Sequence, residues 1–204
     1  MALPTEVRRQ LRTATRRVVR GRQNFTCQVF NPEWNAFVTH WAPIVHDFVE
    51  HALGPYAIQP HPVIERLHDG DHSAGATASF SMQDGRIQLA TSMEGLPGMT
   101  LEKLTHEMTH GSLAAFPEGD MFYEEGYVDY SVWVMAHAPV WGEHREAMIQ
   151  AAAYNIAQRR DRGLRDTNDY DRKRWAGGLF AMLVHGPWII GNLKMKKLQG
   201  DLTW

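Results

Sequence analysis

The sequence predicts an α+β fold. Three features carry that expectation: helix-spaced apolar residues near the start, short apolar runs broken by Gly, Asp and Pro between Tyr56 and Leu89, and a return to helical spacing after Thr100.

Taken in order, the first element is EVRRQLRTATRRVVRGRQ, which holds seven arginines between Arg8 and Arg22. Val7, Leu11 and Val18 recur at helix-compatible intervals, so residues 1–24 read as a basic helix or arm. Its charge is either a solvated face or a landing place for an anionic partner. The next element is NPEWNAFVTHWAPIVHDFVEHALG, with Asn31 placed as an N-cap, Pro32 at the first helical position and Gly54 just past the end. Trp34, Phe37, Val38, Trp41, Ile44, Val45 and Phe48 repeat at three and four, which marks one buried face. Pro43 predicts a kink or a split. His40, His46 and His51 on this helix read as surface or internally satisfied residues rather than ligands.

Three short strands follow: PVIERLH, ATASFSM and GRIQLAT. The QDGR between the last two has the Asp-Gly signature of a tight hairpin. Helical patterns then cover about 100–114, 121–137, 141–161 and 170–185, the last interrupted by Gly177-Gly178. No repeat and no domain linker interrupts the chain, so residues 1–204 are expected to form a single domain.

Composition narrows the function classes. A net charge of −2 and a pI near 6.6 give no global reason to expect nucleic acid or an anionic membrane as partner. Cys27 is the lone cysteine, which excludes an intramolecular disulfide framework. With no secretory leader pattern at its N-terminus and no apolar run of about 18 residues, the expectation is a cytoplasmic protein outside the membrane.

The chemistry lies in LTHEMTHGSL, residues 104–113. On a helix capped at Thr100, His106 and His110 project from one face, one turn apart. Two imidazoles so placed can bind one divalent ion, and Glu107, about 100° further round, can lean over its open side. Water on such an ion has its pKa lowered toward about 7, so a neighbouring carboxylate can take its proton. Beyond a break at Phe116–Gly119, Glu125 is the candidate third ligand, with Glu124 as the alternative. Asp129, four residues after Glu125, shares its face and is placed to accept a hydrogen bond from the far nitrogen of a ligating imidazole. Tyr130 is the candidate donor for a developing oxyanion, with His185 in reserve.

HEMTH at 106–110, followed by EEGYVDY at 124–130, resembles the gluzincin branch of zinc metallopeptidases. Glu125-Gly126 with Tyr130 fits that branch's E-G-x-x-x-Y helix, and Glu125 with Asp129 fits the E-x-x-x-D of its thermolysin-like members. The resemblance covers about residues 85–133. It implies a zincin-like fold: a small sheet of three to four strands, an active-site helix, a third-ligand helix and further C-terminal helices. GRIQLATS would be the edge strand beside the cleft, where an extended peptide adds on. It implies Zn²⁺ held by His106, His110 and Glu125, Glu107 as general base and Asp129 as the residue that orients a ligand. The expected function is zinc-dependent hydrolysis of a peptide or protein amide bond.

Three other readings compete. Two histidines and a carboxylate also make the facial triad of iron-dependent oxygenases. Glu107 with His110 and Glu65 with His68 would make a di-iron bundle, but that needs a helix at 62–68, where Pro60 and Pro62 oppose one. A catalytically silent zincin-like domain would instead work as a binding module through its arginine-rich N-terminus.

Overall fold

The computed structural model describes residues 3–19, 23–67, 77–113, 121–164 and 176. The expected helix at 170–185, with His185, and the candidate strand end at His68 lie outside the described residues. The architecture is α+β, and the described residues form five helices and a mixed four-stranded sheet.

Helix α1 (Thr5–Arg17) is a packed helix rather than a loose arm: Val7, Leu11 and Ala14 are buried while Arg8, Arg9, Arg12, Arg16 and Arg17 face solvent. Helix α2 (Pro32–Leu53) begins where the sequence places it. The Asn31 side chain accepts from the Trp34 backbone N–H at 2.9 Å, and Gly54 closes the helix at φ 90°. Pro43 does not split it; the helix runs through without interruption. Its apolar face buries Val38, Ala42, Val45, Phe48 and Val49.

The sheet has the order β1-β2-β4-β3, from β1 (Thr26–Cys27), β2 (Val63–Arg66), β3 (Ala78–Phe80) and β4 (Ile87–Leu89). β1 and β4 both run parallel to β2, and β3 runs antiparallel to β4. Ile64, Ile87 and Leu89 are fully buried, as expected of the inner strands. The hairpin joins β3 to β4 as expected: Ser81 and Arg86 bond across it at 2.9 Å, and Gly85 takes φ 72°. A Cβ at Gly85 would lie 2.1 Å from the Gln59 carbonyl oxygen, so only glycine fits there. One expectation is corrected. GRIQLATS forms β4, an inner strand, and among the described residues the edges are β1 and β3, because β4 pairs on one side with β3 and on the other with β2.

Helix α3 (Pro97–Leu113) starts one turn before the expected cap. Thr100 is internal, and its hydroxyl donates to the carbonyls of Met93 and Leu96 at 3.2 and 3.0 Å. α4 (Met121–Met135) and α5 (Arg145–Leu164) follow, with a short 3₁₀ segment at Pro139–His144 between them. Trp141 in that segment is fully buried, donates to the Met135 carbonyl at 2.7 Å and meets Phe48 edge-on. α2, α4 and α5 all pack on α3, which is buried throughout from residue 100 to 112. Among the described residues, no helix is long and apolar enough to cross a membrane.

Candidate metal centre

His106 and His110 are four positions apart, so one turn of α3 brings their rings face to edge with centroids 5.0 Å apart. Their Nε2 atoms lie 3.3 Å apart. Helix α4 supplies the third group: Glu125 Oε2 is 3.3 Å from His106 Nε2, and Glu125 Oε1 is 3.3 Å from His110 Nε2. The three residues form a cluster able to hold a metal ion. Bonds of about 2.0–2.1 Å to a tetrahedral ion put neighbouring ligand atoms about 3.3–3.4 Å apart. The two imidazole nitrogens meet that requirement, and Glu125 turns one carboxylate oxygen toward each of them.

Asp129 lies one turn beyond Glu125, and its Oδ1 is 3.3 Å from the far nitrogen, Nδ1, of His106. Both partners are buried. A carboxylate there favours the Nδ1–H tautomer and leaves Nε2 as a lone pair turned toward Glu125 and His110. Burial works against a charged imidazolium at His106, but hydrogen bonds with Asp129 and Glu125 outweigh it and raise the pKa. Glu107 is buried too, and loss of solvation raises its carboxyl pKa against the opposing pull of His106 and His110.

The structure thus brings together His106, His110, Glu125 and Asp129, with Glu107 buried within electrostatic range of both histidines. The side chain of Glu124 lies outside the described residues. Tyr130 is a buried aromatic stacked on Trp133 at 5.9 Å, and among the described residues no hydrogen bond joins its hydroxyl to the cluster. The di-iron arrangement fails here, because Glu65 stands on strand β2 rather than on a helix.

Sequence reasoning missed a second polar layer below the histidines. Glu102 and Lys103 are buried, paired at 3.2 Å, and Glu102 joins His106 and Asp129 in a further cluster of ligand-type atoms. The signal was the four-residue spacing from Glu102 to His106, hidden because a cap at Thr100 puts Glu102 in an exposed first turn. The chain matches no protein-family model, no curated protein and no solved structure.

Proposed function

We propose that this protein is a zinc-dependent hydrolase of peptide or protein amide bonds, resembling the gluzincin metallopeptidases. The observation that supports it is the set of three 3.3 Å separations among His106, His110 and Glu125, contributed by two helices. A Zn²⁺ ion bound by these residues would polarise a substrate carbonyl and lower the pKa of water to about 7.

The chain's own groups do the rest. Asp129 holds the His106 ring in the tautomer that keeps Nε2 available. The Glu107 carboxylate takes the proton of the attacking water and passes it to the departing amine. Its burial suits the exchange, since desolvation brings a carboxyl pKa upward, toward the range where it both accepts and returns a proton. Strand β3, one of the two edges of the described sheet, packs on α3 and offers backbone groups to which an extended peptide can add.

Glu107→Gln separates metal binding from turnover. Elemental analysis should find wild-type zinc in this variant, while cleavage of a quenched fluorescent peptide library is abolished. His110→Ala and Glu125→Ala should lose the zinc. An active Glu107→Gln protein would rule out the assigned base, and stoichiometric iron with an oxygen-dependent product would replace the hydrolase by an oxygenase.

A further inference from the structure

We propose that His46, Asp47 and Glu50, on helix α2, form a second divalent-cation site, separate from the one on α3 and α4. Each offers one ligand atom, and the three atoms lie within 4.8 Å of one another. The sequence HDFVE at 46–50 explains the convergence: His46 and Glu50 stand one turn apart on one face, and Asp47 is three residues before Glu50.

Three observations point to a cation rather than to a cluster balanced from within. First, the His46 side chain is 6% exposed, and its Nδ1 has no hydrogen-bond partner while facing Asp47 Oδ1 at 3.8 Å. The other nitrogen, Nε2, lies 3.3 Å from the Gln59 side-chain oxygen, which accepts an N–H. With the ring proton on Nε2 toward that oxygen, the Nδ1 lone pair faces Asp47 Oδ1, an arrangement that repels unless a proton or a metal cation sits between them. Second, the Asp47 side chain is 2% exposed, and among the described residues neither Asp47 nor Glu50 has a lysine or arginine partner. A buried carboxylate without a cation is costly. Third, Glu50 is half-buried, which gives an ion a way in.

The neighbours hold the site rigid. Asp47 Oδ2 accepts the Val19 backbone N–H at 2.9 Å, so this carboxylate also ties the end of the α1 segment to α2. The His46 ring stacks on Tyr56 at 4.5 Å and 19°, and the Tyr56 hydroxyl donates to the His46 carbonyl at 3.0 Å. One imidazole and two carboxylates suit zinc, manganese or cobalt, with water completing the sphere.

The test is equilibrium dialysis of the metal-free protein, residues 1–204, against buffered micromolar Zn²⁺, followed by elemental analysis. Wild type should hold one equivalent more than Glu50→Gln, and the same difference should separate His110→Ala from the double variant His110→Ala, Glu50→Gln. The hydrolase reading fails on a different result, the loss of no zinc in His110→Ala. A second measurement does not depend on changing the site. In the His110→Ala protein, the ¹⁵N resonance of His46 Nδ1 should move on adding Zn²⁺ while Nε2 stays protonated. Equal zinc in wild type and Glu50→Gln, or an unmoved Nδ1 resonance, overturns the proposal.

Discussion

Asp129 is the residue whose replacement most directly tests the orienting role assigned to it. Its Oδ1 lies 3.3 Å from His106 Nδ1, both groups are buried, and the contact decides which nitrogen of His106 carries the proton. Removing such a partner of a ligating histidine typically costs about 10- to 100-fold in metal affinity. Asp129→Asn can still present an oxygen to Nδ1–H and should fall near the tenfold end, losing charge but not tautomer. Asp129→Ala leaves the ring free to turn and should approach 100-fold. At about 1.4 kcal/mol per factor of ten, these are losses of about 1.4 and 2.8 kcal/mol. At a saturating metal concentration the same energy leaves the metal-linked stability, so Tm should fall by about 3 to 10 °C in a chain of this size. Competition for Zn²⁺ against a chromophoric chelator measures the affinity, and calorimetry of metal-loaded protein measures the shift. An Asp129→Ala affinity within twofold of wild type would refute the orienting role.

Four further outcomes are expected. Gly111→Ala should destabilise the fold by about 1–3 kcal/mol in urea, despite alanine's better helix propensity, because its Cβ would sit 2.6 Å from the Ile58 carbonyl oxygen. Asn31→Ala removes the cap bond to Trp34 and should cost about 1 kcal/mol, read as a lower urea midpoint with unchanged slope. Burial pushes the Cys27 thiol up to about 11 from 9.0, so the folded state holds this proton more tightly than the unfolded one. That contribution to stability is whole below pH 9 and is lost as pH rises toward 11, and alkylation at pH 8 should be slow until denaturant is added. Stripping metal with a chelator should lower Tm by about 5–10 °C relative to protein at 100-fold excess of free Zn²⁺ over Kd, and adding Zn²⁺ back should restore it.

Local signals were legible in the sequence, and long-range ones were not. Asn31, Pro32 and Gly54 marked both ends of α2 because capping depends on a few adjacent residues. Asp84-Gly85 marked the hairpin for the same reason, since a positive φ demands glycine at that turn. β1 was missed: Thr26–Cys27 forms a strand only by pairing with β2, which lies 37 positions on at the first register pair, Thr26 with Val63. The exchange of β4 for β3 at the edge has the same cause, because strand order rests on contacts that spacing does not encode. Within the candidate site, the His106–His110 pair was readable from its period, and Glu125 with Asp129 from theirs. Spacing alone leaves His46 either on the surface or internally satisfied, and the structure buries it between Phe25 and Tyr56, which come from outside its own helix.

Helix α3 shows why a fold would accept such a site. Thr100, Glu102, Lys103, Thr105, His106, Glu107, Thr109, His110 and Ser112 are all buried, so this central helix gains less from apolar burial than α2 does. Desolvating polar groups is tolerable only where partners replace water, and the threonines do this locally: Thr105 donates to the Leu101 carbonyl at 2.7 Å and Thr109 to the Thr105 carbonyl at 2.6 Å. The ionisable groups are harder to satisfy. Among the described residues, Glu102, Glu107, Glu125 and Asp129 bring carboxylates to this region, and Lys103 brings a buried ammonium. Protonated histidines would offset part of that charge, but an imidazolium at both His106 and His110 would set like charges 3.3 Å apart at their Nε2 atoms. A divalent cation between those nitrogens and Glu125 would ease both difficulties, since it would take neutral imidazoles as ligands and offset two negative charges. A polar helix buried from residue 100 to 112 is consistent with the cation binding proposed for His106, His110 and Glu125.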